Sequence, residues 1–191
     1  MLDNILRDVK HKHTAKTTTT VKFKRDIWDL LMESDFEGDM LEVGCDVGNT
    51  TYVLGHAAKQ LNKKVFSFEI DENRINKAKL LCNDLNCEFI KKDVYNEPWD
   101  ISNIGFIFID ASHEEDDVLF DLKNSFKLAG KSGIVVIHDY GLVTLQGSSV
   151  KSVIDNSTIY EACKFLGEKA DWNSLGSGRV IDWEAAQIKI K

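Results

Sequence analysis

Short apolar runs alternate with amphipathic helical segments through the middle of the chain, and this alternation restricts the fold more than any other feature. Each run is apolar almost throughout, which is typical of strands that are buried on both faces. The five runs are Met40–Gly44, Val65–Ile70, Cys87–Asp93, Ile104–Asp110 and Gly133–Asp139. Apolar residues at helical spacing follow the first, second and fourth runs. We therefore predict an α/β fold in which helices cover both faces of a parallel sheet.

The two ends of the chain differ from this middle part. Residues 1–37 are polar and rich in threonine before a short helix around Ile27–Met32, and we predict an appended arm that serves as a lid or an oligomer contact. Residues 38–191 form the predicted main domain. Near the other end, Trp172–Ser177 and Arg179–Ile190 flank a Gly-Ser-Gly segment and are predicted to pair as a hairpin.

Composition restricts the classes of partner. The chain has 191 residues, of which 43% are hydrophobic, and this suits one globular domain. Its net charge of −7 argues against broad attraction to nucleic acid or to anionic membranes. The apolar runs are too short to span a bilayer, the N-terminus has no apolar signal region, and the four cysteines form no C-x-x-C pair. We expect a cytoplasmic protein with a small-molecule partner and no nucleic-acid or membrane partner; a homo-oligomer is left open.

Acidic residues stand at or beside the ends of all five predicted strands. They are Glu42, Glu69, Asp93, Asp110 and Asp139, the last of them preceded by a histidine. In a sheet of this kind, ligands bind at the carboxyl ends of the strands, where the strand order reverses. Chance could supply two or three such acids in an acidic chain, but five predict a binding site along this edge.

The turn after the first strand carries two glycines, Gly44 and Gly48, which permit a tight turn and a close approach of the backbone to a ligand. The spacing does not match the G-x-G-x-x-G dinucleotide fingerprint. Glu42 and Asp46 flank the turn, and their negative charge would repel a phosphate but suit a cationic or amine-bearing ligand. Glu69 is placed to accept hydrogen bonds from two ribose hydroxyls. These residues predict a nucleoside with a positive centre; the alternative is a purely structural turn.

These motifs, in this order and spacing, resemble those of class I S-adenosylmethionine-dependent methyltransferases. The likeness rests on LEVGCDVGNTT, VFSFEID, KKDV and FIFID and covers roughly residues 38–140. It implies a Rossmann-like sheet of about seven strands in the order 3-2-1-4-5-7-6, with the last strand antiparallel and helices on both faces. It also implies S-adenosyl-L-methionine as cofactor, with Glu69 at the ribose and Asp93 and Val94 at the adenine. The implied cofactor-binding residues are Glu42, Gly44, Cys45, Asp46, Gly48, Asn49, Thr50, Glu69, Ile70, Asp93, Val94 and Asp110.

A narrower likeness concerns residues 106–140, which are similar to small metal-dependent O-methyltransferases, among them enzymes that act on sugar hydroxyls of natural products. Such enzymes show Asp-x-x-His after the fourth strand and an acidic pair after the fifth, where this chain has His138-Asp139. The resemblance implies Asp110, His138 and Asp139 as metal ligands and His113 as general base. Two carboxylates suit Mg²⁺, the metal that we expect first, whereas an imidazole ligand also admits Mn²⁺, Fe²⁺ or Zn²⁺.

The proton acceptor is predicted from local spacing as well. Ser112 and Glu115 have the spacing of a capping box, which would place His113 in the first turn of the next helix. There the helix dipole disfavours imidazolium, although the acids that follow act in the opposite sense. A bound cation activates a hydroxyl, and a neutral imidazole can take its proton. We therefore predict metal-assisted methyl transfer to a hydroxyl of a sugar or natural-product-like molecule. The rival functions are a metal-dependent phosphohydrolase, which the acidic first turn disfavours, and a non-catalytic nucleoside-binding protein.

Overall fold

The predicted alternation of strands and helices is present in the computed structural model, which describes residues 2–12, 19–144, 147, 149–169, 171–174 and 178–191. The helices are α1 (Leu2–Lys12), α2 (Val21–Glu33), α3 (Asn49–Leu61), α4 (Glu72–Leu81), α5 (Glu115–Ala129) and α6 (Val150–Asn156). The strands are β1 (Asp39–Val43), β2 (Val65–Glu69), β3 (Cys87–Lys91), β4 (Ile104–Ile109), β5 (Ile134–His138), β6 (Leu142–Thr144), β7 (Tyr160–Lys169), β8 (Trp172–Ser174), β9 (Gly178–Val180) and β10 (Trp183–Ile190).

Seven strands form one mixed sheet in the order β3-β2-β1-β4-β5-β10-β7. The first five are parallel to one another, whereas β10 is antiparallel to both β5 and β7. Counting only the strands of this sheet, the order is 3-2-1-4-5-7-6 with the last strand antiparallel, so the predicted fold class is confirmed. The order reverses between β1 and β4, which places a crevice at the carboxyl ends of these two strands.

The predicted C-terminal hairpin is confirmed in part: Arg179 and Val180, which begin its second predicted strand, pair antiparallel with β8, but the rest of that strand pairs elsewhere. β10 pairs with β7, which lies earlier in the chain than either predicted strand. β8 and β9 belong to a separate three-stranded sheet that includes β6. Part of the predicted first strand of the hairpin, residues 175–177, lies outside the described residues. The strand β7 escaped the sequence analysis because exposed residues occupy its middle and the alternation of buried and exposed positions is interrupted.

Two apolar clusters cover the two faces of the sheet. On one face, Phe23, Ile27 and Leu31 of α2 are fully buried in a cluster that includes α3 and residues of β1 and β4. On the other face, α5 and α6 pack against the sheet, with Val118 and Leu122 of α5 fully buried. α2 is longer than the predicted helix, and its N-terminus begins after Thr20. Whether the arm that contains it serves as a lid or an oligomer contact stays a prediction.

The apolar runs of the sequence were predicted to be too short to span a bilayer. Within the described parts of the chain, no helix combines the length and the apolar character needed to cross a membrane.

Candidate functional site

A cleft of about 270 Å³ lies at the carboxyl ends of β1, β2 and β4, beside the point where the strand order reverses. Seven of the residues predicted to bind the cofactor line it: Gly44, Asp46, Glu69, Ile70, Asp93, Val94 and Asp110. The wall is completed by residues that the sequence analysis did not single out for this role: Phe68, Arg74, Lys92, Tyr95, Ala111 and Ser112. The predicted cofactor residues outside this lining are Glu42, Cys45, Gly48, Asn49 and Thr50. The first five predicted strands therefore bring most of the predicted cofactor residues to one cleft.

The turn after β1 depends on glycine at two positions. Gly44 has a φ of +87°, and a Cβ atom there would lie 2.3 Å from the backbone oxygen of Asp110. Gly48 has a φ of +88°, and its Cβ would lie 2.9 Å from Cα of Ala78. A side chain at either position would thus separate β1 from the end of β4, or α3 from α4. The two glycines allow the close packing that forms the floor of the cleft.

Glu42 lies beneath this turn and is fully buried. Its Oε2 accepts hydrogen bonds from the hydroxyls of Thr51 at 2.5 Å and Ser67 at 2.6 Å. Burial raises the pKa of Glu42 to about 8, although the hydrogen bonds from Ser67 and Thr51 act in the opposite direction. Its carboxyl group is thus removed from water and lies outside the lining of the cleft, whereas Asp46, the other acid of the turn, lines it. That the acids of this turn repel a phosphate stays a prediction, and it falls on Asp46.

Glu69 ends β2 and turns its carboxylate toward the cleft. Its Oε1 accepts hydrogen bonds from the backbone N–H groups of Ile70 and Asp71, both at 3.0 Å. Its Oε2 accepts one from the N–H of Asp46 at 2.9 Å. Three backbone donors thus orient the carboxylate, which has further lone pairs for a ligand in the cleft. Arg74 of α4 lies 3.5 Å from Asp46 and connects the turn to that helix.

The segment after β3 forms the opposite wall. Asp93 accepts hydrogen bonds from the amide of Asn96 at 2.9 Å and from the N–H of Tyr95 at 3.2 Å. The hydrogen bond from Asn96 holds the pKa of Asp93 below its ordinary value. Val94 is buried beside it. The carboxylate is therefore held in the wall of the cleft, among the residues that the sequence predicted to bind the cofactor.

Tyr95 and Asp121 were missed by the sequence analysis. The Tyr95 hydroxyl donates to Asp121 Oδ2 at 3.1 Å and accepts from the N–H of Ser112 at 3.0 Å. It thereby joins the segments that follow β3 and β4. Asp121 is fully buried, and burial raises its pKa to about 7. A signal existed in the sequence: Asp121 and Ser125 interrupt the apolar face of α5 at helical spacing.

A second group of ionisable residues adjoins the cleft at Asp110. One oxygen or nitrogen atom from each of Asp110, His113 and Asp139 lies within 4.8 Å of the others. His113 Nε2 is 3.3 Å from Asp139 Oδ2, but this buried nitrogen has no partner in hydrogen-bond geometry among the described residues. Asp139 has a φ of 50°, a conformation that non-glycine residues seldom adopt. Two carboxylates and an uncommitted imidazole nitrogen fit a divalent cation.

His138, the other predicted ligand, lies behind this group and is fully buried. Its Nδ1 is 3.2 Å from Asp110 Oδ1 and 3.4 Å from Asp139 Oδ1, and its Nε2 is 3.5 Å from Glu184 Oε1. Burial alone would lower the pKa of His138, but attraction to Asp110 and Asp139 outweighs burial and raises the pKa well above its ordinary value. The His138 ring therefore lies behind both carboxylates, and the geometry groups His113 with the carboxylates as a ligand candidate.

The start of α5 differs from the prediction. The helix begins at Glu115, and Glu114 is its N-cap without a side-chain cap bond. Ser112 Oγ accepts instead from the N–H of Glu114 at 3.3 Å, in a turn before the helix. The predicted capping box is therefore absent, and His113 precedes the first helical turn. The reason is local, because the Ser112 hydroxyl bonds two residues ahead and its N–H is held by Tyr95.

Comparisons with known proteins agree with this geometry. A protein-family model described as a methyltransferase domain matches residues 41–140. A tRNA N(3)-methylcytidine methyltransferase of Schizosaccharomyces pombe is 28% identical over 131 residues, which cover 63% of this chain and 42% of that protein. The chain thus spans less than half the length of this curated relative.

Solved structures of both O-methyltransferases and N-methyltransferases share the fold. An O-methyltransferase of Bacillus cereus in complex with SAH has a TM-score of 0.64 at 15% identity, covering 100% of this chain and 90% of its own. A SAM-dependent O-methyltransferase of Thermotoga maritima gives 0.65 at 17%, covering 98% and 71%. An N-methyltransferase of Bradyrhizobium japonicum gives 0.64 at 14%, covering 98% and 99%. At these identities the likeness establishes the fold and leaves the acceptor atom undetermined.

Proposed function

This chain belongs to the methyltransferase domain family and is a class I S-adenosylmethionine-dependent methyltransferase, and from this premise we propose that it methylates a hydroxyl of a small molecule with the help of a divalent cation. The observation that carries the proposal is the cluster of Asp110, His113 and Asp139 at one side of the cleft. Asp110 belongs to both the cluster and the cleft wall. The place of the cofactor and the place of the acceptor therefore meet at this residue.

The cleft supplies the contacts that the cofactor requires. We assign Glu69 to the ribose hydroxyls, since three backbone N–H groups hold its carboxylate toward the cleft. Asp93 and Val94 border the adenine, and the Gly44 turn borders the methionine part. These assignments are supported by the position of each residue in the wall.

The cluster supports the transfer step. The acceptor oxygen forms a bond to the methyl carbon as the sulfur–carbon bond breaks, and the hydroxyl proton must leave. A divalent cation held by Asp110 and Asp139, with Mg²⁺ expected first and Mn²⁺ next, would lower the pKa of the acceptor hydroxyl. His113 can accept the proton, because its Nε2 has no hydrogen-bond partner among the described residues. His113 could alternatively bind the cation through that same nitrogen, and the two roles exclude each other.

A second candidate acceptor is a ring nitrogen of a nucleic-acid base, which the similarity to the tRNA methyltransferase favours. A neutral ring nitrogen carries a lone pair and needs neither a cation nor a base to attack the methyl group. The net charge of −7 and the acidic cluster disfavour RNA as a partner. Methyl transfer to a hydroxyl would use both the carboxylates that hold a cation and the imidazole base, whereas transfer to a ring nitrogen would need neither. Family membership also favours methyl transfer over the phosphohydrolase alternative.

An acceptor screen tests the proposal. The purified chain would be incubated with S-adenosylmethionine that carries a labelled methyl group, with a panel of sugars and natural-product alcohols, and with tRNA. Each reaction is run with Mg²⁺ and with excess chelator. We expect label in an alcohol in the presence of Mg²⁺ only. Label in tRNA that persists in chelator would contradict the proposal.

We also propose a cytoplasmic location, which the four free cysteines favour.

A further inference from the structure

A fully buried acid on the last strand of the sheet contacts the site from behind. We propose that Glu184 is a positioning residue, which fixes the His138 ring and, through that ring, the carboxylates of Asp110 and Asp139. The inference rests on the proposed function in one respect, namely that these carboxylates hold a cation.

The contacts of Glu184 come from three elements. Its Oε1 accepts from the N–H of Thr20 at 2.6 Å and lies 3.5 Å from His138 Nε2. Its Oε2 accepts from the Thr20 hydroxyl at 2.5 Å and from the N–H of Glu168 at 3.3 Å. The carboxylate thus joins the residue before α2 and the strand β7 to the histidine at the end of β5. Both oxygens are held, so the side chain has one orientation.

The backbone is irregular where Glu184 lies. The pairing of β10 with β7 shifts here: Trp183 is opposite Lys169 but Ala185 is opposite Leu166, so β7 carries one extra residue and Glu184 lies opposite this bulge. In a regular strand, consecutive side chains point to opposite faces of the sheet. Ala185 packs in the apolar cluster on the α2 face, and the Glu184 carboxylate also reaches α2 and His138 on that face. The bulge therefore turns Glu184 toward the histidine.

A glycine on the neighbouring strand makes room for this side chain. Gly167 has a φ of +82°, and a Cβ atom there would lie 2.4 Å from Glu184 Oε2 and 2.6 Å from its Cβ. Any other residue would be strained and would displace the carboxylate. Gly167 thus belongs to the bulge in β7, and it leaves room for the Glu184 side chain against His138.

A buried carboxylate is costly unless positive groups compensate for its charge. Lys24 of α2 is one such group: it is buried, its charge interacts with Glu184, and burial lowers its pKa to about 8. His138 Nε2 lies 3.5 Å from Glu184 Oε1 on the other side. Glu184 could therefore be a purely structural partner of Lys24 and Thr20. The contact with His138 is what distinguishes the positioning role from that one.

His138 transmits the effect of Glu184 to the site. The ring faces Glu184 with Nε2 and the two carboxylates with Nδ1, at 3.2 and 3.4 Å. If the ring were rotated by 180° about its Cβ–Cγ bond, carbon atoms would take the places of Nε2 and Nδ1 in these contacts. Glu184 disfavours this rotation because it offers an acceptor only to Nε2. Removing its charge should therefore loosen the ring, and with it the spacing of Asp110 and Asp139.

The test compares Glu184→Gln with two controls. Glu168→Gln removes an exposed acid of β7 whose side chain has no part in this network, and Thr20→Val removes a hydrogen bond to Glu184 but leaves its carboxylate beside His138. Calorimetry measures the binding of Mn²⁺ and, separately, of S-adenosylhomocysteine. We expect Glu184→Gln to weaken Mn²⁺ binding by about 10–100-fold, as changes behind a metal ligand typically do. Binding of S-adenosylhomocysteine should weaken far less than Mn²⁺ binding, because Glu184, His138 and Asp139 do not line the cleft and Asp110 does so as one of many residues.

The controls and a second readout keep the positioning role separate from a structural one. Thr20→Val should lower the melting temperature but bind Mn²⁺ like the wild type. The ¹⁵N signals of the His138 ring, identified by their loss in His138→Gln, should move in Glu184→Gln and stay in place in Glu168→Gln. Equal loss of Mn²⁺ binding in Thr20→Val and Glu184→Gln would overturn the proposal. If the wild type binds no Mn²⁺, the cation fails as part of the proposed function, and unmoved ring signals in Glu184→Gln would still overturn the positioning role.

Discussion

Replacing Glu69 with glutamine tests the cofactor site, because the surrounding backbone holds this side chain toward the cleft. Its Oε1 accepts from the N–H groups of Ile70 and Asp71, and its Oε2 accepts from that of Asp46. Glutamine can keep the first two bonds through its oxygen. Its amide nitrogen would then face the Asp46 N–H, donor against donor. The variant therefore loses both the negative charge and the acceptor at Oε2.

The size of the effect follows from the bonds that are lost. We assign Glu69 to two ribose hydroxyls, and hydrogen bonds to a charged acceptor contribute about 1.5–3 kcal/mol each. One neutral acceptor remains in the variant, so the expected loss is about 1–3 kcal/mol in total. This corresponds to roughly 5–150-fold in Kd. The unpaired N–H of Asp46 adds to the loss, because it disturbs the turn that borders the cofactor.

Calorimetry with S-adenosylhomocysteine measures this change. Glu72→Gln is the matched control, since it removes a nearby exposed acid that pairs with Lys91 and does not line the cleft. The control should bind like the wild type. A Glu69→Gln protein that binds S-adenosylhomocysteine as tightly as the wild type would refute the placement of the ribose at the end of β2.

The cation, the base and the buried acid behind Tyr95 give three further predictions. Excess chelator should leave S-adenosylhomocysteine binding unchanged in calorimetry, because two of the three residues of the cation cluster, His113 and Asp139, lie outside the lining of the cofactor cleft. A large loss of affinity would count against a cation site that is separate from the cofactor. Once an acceptor is known, His113→Ala should lower kcat by about 10²–10⁴-fold while the Kd of the cofactor stays the same. An unchanged kcat would contradict the role of His113 as general base, and loss of Mn²⁺ binding would show that His113 is a metal ligand. Burial raises the pKa of Asp121 from 3.8 to about 7, so the folded state keeps a proton that the unfolded state releases, and its contribution to stability should fall as the pH rises through this range. Asp121→Asn should remove that part of the pH dependence in thermal melts, and identical profiles for the two proteins would contradict the assignment.

The parallel part of the fold could be predicted because its signals are local. Five short apolar runs with helical spacing between them specify buried parallel strands, and their ends are visible in the sequence. Seven residues chosen from those ends do line one cleft. The edge strand β7 could not be found in this way, because it is exposed in its middle and shifts its pairing with β10.

The parts of the site that escaped prediction depend on contacts between distant segments. Glu184 contacts His138 across 46 positions of the chain, and it points toward that ring where its strand lies opposite the bulge in β7. Tyr95 contacts Asp121 across 26 positions and Ser112 across 17. The capping box failed for the opposite reason, since a shorter-range bond of Ser112 competes with it. Sequence patterns report which residues end a strand, but a bulge or a turn decides where their side chains point.

The bond formed to the transferred methyl group tests the central claim most directly. The chain would be supplied with S-adenosylmethionine labelled with ¹³C in the methyl group and with the acceptor that the screen identifies, and the product would be analysed by NMR. We predict a methyl carbon bonded to oxygen, formed with Mg²⁺ and not in excess chelator, because Asp110, His113 and Asp139 suit the activation of a hydroxyl. A methyl carbon bonded to nitrogen, formed equally well in chelator, would contradict the account.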